Sequence, residues 1–186
     1  MQEKGNILRI FRETKKAMKE GNSTLIKDLS NQTINTASLT NDPDNIAVAV
    51  IVYSLGKILE RHQYQRFSGW SGFYGNILQA VDATINDIEK NNDQKIATDL
   101  GSITKSIGKL SGKLRVYIQD VFRKARINKA SRIYEHGISM ERTAALLGIT
   151  LYELASYAGQ ARMDDVPLEN TMDVQKRIKM AQEMFE

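Results

Sequence analysis

The segment that decides the fold of this chain is SMERTAALLGITLYELASY, residues Ser139–Tyr157. Its spacing is that of a helix-turn-helix, in which two short helices cross at a steep angle. The crossing needs a small residue on the first helix, which Ala144 provides, and the turn needs positive φ, which Gly148 tolerates four positions later. Apolar side chains are placed to seal the corner at Leu147, Ile149 and Leu154. With Ser139 placed to cap the first helix, the segment predicts two helices joined by a tight turn.

The second helix of the motif, predicted from Thr150 to Tyr157, contains no Lys or Arg. In DNA-binding proteins with this motif, the second helix lies in the major groove. Its outward residues are expected at Thr150, Leu151, Tyr152 and Ser156. Hydroxyl groups there can contact bases or phosphates, and apolar groups can meet thymine methyls, whereas Glu153 repels phosphate. The alternative is that Leu151 and Tyr152 bury against another protein.

Positive charge is concentrated just ahead of the motif. The chain has a formal net charge of +4, and between Lys105 and Arg132 nine basic residues accompany the single acid Asp120. The stretch Leu114–Tyr134 has the pattern of a basic amphipathic helix, which is either a nucleic-acid face or a solvated surface. The residues expected to contact nucleic acid are Arg115, Arg123, Lys124, Arg126, Lys129, Arg132, Arg142, Thr150, Tyr152 and Ser156. Among them, Arg126, Lys129 and Arg132 are expected to hold phosphates.

The composition favours a helical protein without enzymatic chemistry. Two prolines in 186 residues and a hydrophobic fraction of 41% predict long helices around a sizeable core. The chain has no cysteine, which excludes disulfides and thiolate metal sites. The two histidines, His62 and His136, lack a metal-ligand motif, and no nucleophile elbow, P-loop or dinucleotide fingerprint occurs. We therefore expect no catalytic residues, no metal and no cofactor.

Ahead of the motif the sequence predicts a bundle of helices. They are expected at Asn6–Lys19, from Ser23 onward, and at Ile46–Arg61, Asn76–Lys90 and Ile96–Leu110. Ile46–Tyr53 would also suit a buried strand, but its apolar pattern continues without a break, which favours a central helix that is apolar on all sides. Phe67–Gly75 is predicted to be a glycine-rich aromatic loop, whose Trp70 either anchors in the core or stacks on bases. Without a secretory signal or an apolar run of ~20 residues, a cytoplasmic protein with no membrane partner is expected.

The stretch Tyr134–Gln160, YEHGISMERTAALLGITLYELASYAGQ, resembles a family of small prokaryotic and archaeal helix-turn-helix antitoxins. The matching residues are Tyr134, Glu135, Gly137, Ile138, Ser139, Ala144, Ala145, Leu147, Gly148, Ile149 and Glu153. The resemblance implies a DNA-binding motif used for autoregulation and a C-terminal segment that wraps a PIN-domain ribonuclease toxin. In this chain the wrapping segment would be Met163–Phe185.

These patterns combine into an all-α protein with three parts. Residues 1–112 form a helical bundle that is expected to dimerise, residues 113–160 hold the basic helix and the helix-turn-helix, and residues 161–186 form a linker and a partner-binding amphipathic helix at Thr171–Phe185. The expected function is a DNA-binding, antitoxin-like regulator that contacts duplex DNA mainly through its phosphates and acts as a homodimer. The alternatives are a protein-interaction adaptor that docks through the motif and a protein that binds RNA or ribonucleoprotein through the basic helix.

Overall fold

The computed structural model of the chain describes residues 3–40, 43–110, 112–135 and 137–164, and these residues form helices without any strand. The prediction of an all-α fold is therefore confirmed. The helices are α1 (Lys4–Glu20), α2 (Ser23–Thr40), α3 (Pro43–Glu60), α4 (Trp70–Glu89), α5 (Asp93–Gly108), α6 (Gly112–Glu135), α7 (Met140–Leu147) and α8 (Leu151–Asp164), with a 3₁₀ turn at His62–Arg66. In the part of the chain that is described, every helix is too short or too polar to cross a bilayer.

Two groups of buried apolar residues hold these helices together. The larger, here called the bundle core, contains Ile10, Leu29, Val52 and Ile77 among many large side chains from α1 to α6. The smaller, here called the corner core, joins α7 and α8 to the rest of the chain. It consists of Ile34, Ile46, Ala49, Val50, Ala125, Ala130, Ile133, Ala144, Leu147 and Leu154.

Helix α3 belongs to both cores and lies at the centre of the molecule. Val52 and Leu55 face the bundle core, whereas Ile46 and Val50 face the corner core. This confirms the prediction of a helix that is apolar on all sides, and the strand alternative is wrong. Its packing against α2 is close at Gly56, where a Cβ would lie 3.3 Å from the nearest backbone oxygen of α2.

Helix α6 is the second element shared by the two cores. Its first half contributes Leu114 and Ile118 to the bundle core, and its second half contributes Ala130 and Ile133 to the corner core. The predicted boundary after residue 112 falls at the start of this helix and stays a prediction. The burial pattern means that α6 connects the two cores, with its first half packed in the bundle core and its second half in the corner core.

Several helix ends differ from the sequence prediction. The sequence predicts Ser23 as the cap of α2, but Asn22 fills that role, because its Oδ1 accepts a hydrogen bond from the backbone N–H of Leu25 at 3.0 Å. The predicted aromatic loop is wrong over its second half, since α4 already begins at Trp70. The ring of Trp70 stacks on Tyr74, 5.8 Å away, and these aromatic contacts support the first turn of α4.

The C-terminal boundary of the corner also differs. Helix α8 was predicted to end at Gly159, but it continues to Asp164. A glycine is tolerated inside a helix at a cost of about 1 kcal/mol, so it does not by itself end one. The remainder of the predicted linker and the amphipathic helix Thr171–Phe185 lie outside the described residues, as does His136.

Candidate nucleic-acid interface

The corner between α7 and α8 is built by a short turn. Ser139 caps α7, since its Oγ accepts a hydrogen bond from the backbone N–H of Arg142 at 3.3 Å. At the other end Gly148 has φ 60° and ψ 41°, and its N–H donates to Ala145. This left-handed conformation is open to glycine without strain, and it turns the chain toward α8.

The inner side of the corner is apolar. Ala144 is 4% exposed and Leu154 is fully buried. Leu147 is buried with them, and Ile149 is half-buried against the same core. These are the small and apolar positions that the sequence pattern predicts at the crossing of the two helices.

The start of α8 carries a capping box that the sequence analysis missed. The Oγ1 of Thr150 accepts a hydrogen bond from the N–H of Glu153 at 3.1 Å, and the N–H of Thr150 donates to Glu153 Oε2 at 3.0 Å. The detectable signal was the Thr-x-x-Glu spacing. The bonds from the backbone and hydroxyl of Thr150, followed by one from Arg123, hold the pKa of Glu153 below its usual value. Glu153 therefore stabilises the helix start in its charged form.

Two side chains on α6 that are predicted to contact nucleic acid, Arg123 and Lys124, already contact acids. Arg123 Nε lies 3.0 Å from Glu153 Oε1, and Lys124 Nζ lies 2.8 Å from Asp120 Oδ2. Both basic side chains are still about two-thirds exposed. Ion pairs at such exposure are weak, so a phosphate can compete with either carboxylate.

Lys129 differs from the other basic residues of α6 because it is buried. Its Nζ donates to Asn31 Oδ1 at 2.8 Å and lies 4.2 Å from the centroid of the Tyr53 ring. Burial, helped by the nearby charge of Arg132, lowers the pKa of Lys129 to about 7. The expectation that Lys129 holds a DNA phosphate is corrected, since its amine faces α2 and α3 inside the molecule.

The other candidate side chains are spread along the surface. Arg115, Arg132 and Arg142 are exposed and Arg126 is half-buried. Arg115 and Arg132 are separated by ~25 Å along α6, given the rise of 1.5 Å per residue. By contrast, Arg126 and Arg123 line a depression of about 680 Å³ next to Gly148 and Ile149. The structure thus brings part of the predicted basic set to the turn of the corner.

The outer face of the first two turns of α8, residues 151–157, is uncharged at Leu151, Tyr152 and Ser156 and is open to solvent. Tyr152 is 82% exposed and Leu151 is 46% exposed, the highest values for large apolar side chains on this helix. Ser156 lies one turn beyond Tyr152 on the same face and is also exposed. Thr150 is exposed too, but its hydroxyl serves the capping box. Tyr152 and Ser156 therefore remain as the predicted groove-facing residues whose polar groups are accessible.

Within the ranges that the structure describes, no three His, Asp or Glu side chains come together as metal ligands do. His62 lies in the 3₁₀ turn after α3, on the exposed surface.

Searches for related proteins return nothing that bears on function. No protein-family model, curated protein or solved structure matches this chain. Function is therefore inferred from the residues of the corner and from the surfaces around it.

Proposed function

We propose that this chain is a helix-turn-helix regulator that binds duplex DNA through α7 and α8. The observation that supports the proposal is the exposed, uncharged surface formed by Tyr152 and Ser156 on the first two turns of α8, next to a turn flanked by cations. Tyr152 stands on that face at 82% exposure, and Arg126 lies beside the turn glycine, Gly148. A groove-inserting helix flanked by phosphate-binding side chains is the arrangement that such regulators use.

The proposed roles divide between the helices. Arg123 and Arg126 of α6 and Arg142 at the start of α7 hold phosphates, and Tyr152 and Ser156 of α8 contact base edges. Because residues Thr150–Tyr157, which include the first two turns of α8, contain no Lys or Arg to contact a guanine, affinity comes mainly from the backbone and discrimination among sequences is modest. A second copy of the chain on a neighbouring half-site would supply the missing specificity, which is why a homodimer forms part of the proposal.

A salt titration of binding to a duplex tests the proposal. The logarithm of the association constant should fall linearly with the logarithm of salt concentration. Arg126→Ala and Arg142→Ala should each reduce the slope by about 1, because each removes one phosphate contact. Lys19→Ala, a change of the same charge at the exposed end of α1, serves as the control and should leave the slope unchanged. Absence of duplex binding even at low salt would overturn the proposal.

A second candidate function is protein docking through the same face, and the exposure of Leu151 and Tyr152 favours it. Apolar side chains displayed in this way bury well against a partner. Docking predicts that Leu151→Ser with Tyr152→Ser abolishes complex formation with little dependence on salt. The resemblance to antitoxins adds a PIN-domain ribonuclease as the proposed partner of segment Met163–Phe185, which copurification from the native organism would test.

A further inference from the structure

A groove between α3, α6 and α8 has the properties of a ligand site. It has a volume of about 470 Å³ and is lined by Tyr53, Lys57, Arg61, Lys124, Tyr152 and Tyr157. Volumes of roughly 300–1,000 Å³ are typical of sites for small molecules. The groove is lined by residues of α3, α6 and α8, and it shares Tyr152 and Ser156 with the face of α8 that is proposed to contact DNA.

The aromatic side chains give the groove flat apolar surfaces. Tyr157 is held by a hydrogen bond from Asn128 Nδ2 to its hydroxyl at 3.0 Å. Tyr53 is held from the interior by the buried Lys129, 4.2 Å from its ring centroid. Tyr152, at the rim, is 82% exposed and free to move onto a ligand. Phenol rings of this kind stack on planar heterocycles.

The charged lining of the groove favours an anion. Four cations, Lys57, Arg61, Arg123 and Lys124, accompany one acid, Glu153. Glu153 forms an ion pair with Arg123, so these two charges offset each other. Lys124 pairs with Asp120 at the exposed surface, where a ligand anion can compete with the carboxylate. Lys57 shares the carboxylate of Glu60 with Lys27, which leaves positive charge in excess at that end. Arg61 donates to Tyr64 through one nitrogen and keeps other N–H groups for a ligand.

We propose that this groove binds one nucleotide unit, with its base against the tyrosines and its phosphate on Lys57, Arg61 and Lys124. The volume, the phenol rings and the excess of cations point together to a planar ring that carries an anion. A free nucleotide and an unpaired nucleotide of a single strand share this chemistry. The site does not depend on duplex binding by α8, so its test can succeed or fail separately from that of the proposed function.

Calorimetric titration of the full chain at low salt tests the site with four probes: AMP, adenosine, inorganic phosphate and a single-stranded hexanucleotide. AMP should bind at least tenfold more tightly than adenosine or phosphate, because only AMP offers both the ring and the charge. If the hexanucleotide binds at least tenfold more tightly than AMP, the natural source is a single strand; comparable affinities indicate a free nucleotide. Failure of both AMP and the hexanucleotide to bind would overturn the proposal.

Two variants locate the binding. Tyr152→Ser should weaken AMP about tenfold through lost stacking, and Lys124→Gln should weaken it severalfold through lost charge. Both side chains are largely exposed, so the fold should persist. Leu151→Ser and Lys113→Gln are the matched controls, since neither residue lines the groove. Binding that is unchanged in both groove variants, or weakened equally in the controls, would rule the groove out as the site.

Discussion

The bundle core and the corner core are built from different side chains. The bundle core is dominated by large residues such as Ile7, Phe11 and Ile77, whereas four of the ten buried residues of the corner core are alanines. Alanine buries little apolar area but lets helices approach closely. The second half of α6, which contributes Ala130 to the corner core, also carries the buried Lys129, whose amine needs its polar partner Asn31. The comparison indicates a strong scaffold that carries a less strongly held corner, which would open locally before the bundle unfolds.

The largest effect on stability is expected from replacing one leucine in each core with alanine, which tests whether the corner is held less strongly than the bundle. Leu29 of the bundle core and Leu154 of the corner core are both fully buried. Leu29→Ala should lower the free energy of unfolding by about 2–5 kcal/mol, because the cavity lies in a rigid environment. Leu154→Ala should mainly expose the amides of α7 and α8. Urea unfolding measures the loss of unfolding free energy, and hydrogen exchange measures the protection of individual amides. Equal loss of amide protection throughout the chain in the two variants would contradict a corner that is held less strongly than the bundle.

The buried amine of Lys129 should give the next largest effect, as a dependence of the free energy of unfolding on pH. Its pKa is lowered from 10.5 to about 7 in the folded chain. Below pH 7 both states bind the proton, so stability does not change with pH through this group. Between the two pKa values only the unfolded state keeps the proton, so stability rises with pH.

Comparison of the wild type with Lys129→Met isolates this effect. From pH 7 to pH 9 the wild type should gain about 2–3 kcal/mol of unfolding free energy relative to the variant. Urea titrations at pH 6, 7 and 9 measure the difference, with Lys124→Met as an exposed control that should show no such gain. If the unfolding free energies of the wild type and of Lys129→Met change with pH in parallel, the amine of Lys129 is solvated in solution.

Removing either helix cap of the corner should have a smaller effect on stability and shows which of the two helices, α7 or α8, is held more weakly. Thr150→Ala removes a reciprocal capping box, whereas Ser139→Ala removes a single bond of 3.3 Å. We expect a loss of about 1 kcal/mol for Thr150→Ala and less for Ser139→Ala. Thermal unfolding followed by circular dichroism checks the order, and a larger loss for Ser139→Ala would show that α7, not α8, limits the stability of the corner.

Removing the exposed ion pair between Lys124 and Asp120 should have the smallest effect on the free energy of unfolding. These residues are one turn apart on α6 with Nζ and Oδ2 at 2.8 Å. Lys124→Gln should cost about 0.3–0.5 kcal/mol, and the difference should vanish at high salt because exposed pairs are screened. A loss above 1 kcal/mol in denaturant titrations would mean that Lys124 supports the corner itself.

Much of the local structure could be predicted because it depends on neighbouring residues. The continuous apolar pattern of α3 predicted a central helix, and the offset from Ala144 to Gly148 predicted the turn. The aromatic stretch after Phe67 was misjudged, since its glycines at positions 72 and 75 suggested a loop. Stacking of Trp70 on Tyr74 stabilises helix there, and contacts of this kind outweigh the modest cost of a glycine.

The candidate interface was less predictable than the helices. A charge count cannot tell which basic side chains of a helix face water, and it treated Lys129 and Arg132 alike. The capping role of Glu153 could have been predicted from Thr150, three residues earlier. Its pairing with Arg123 could not, because that contact joins two helices across thirty positions of sequence.

The sequence by itself determined most of the helices, the cap at Ser139 and the left-handed turn at Gly148, because each depends on bonds within a few residues. Only the tertiary structure decided that Lys129 is buried, 98 positions away from the Asn31 that accepts its hydrogen bond. It also decided that tyrosines of α3 and α8 line one groove with cations of α3 and α6. The reason is physical: burial and charge proximity depend on how helices pack, and packing brings together residues that no local pattern connects.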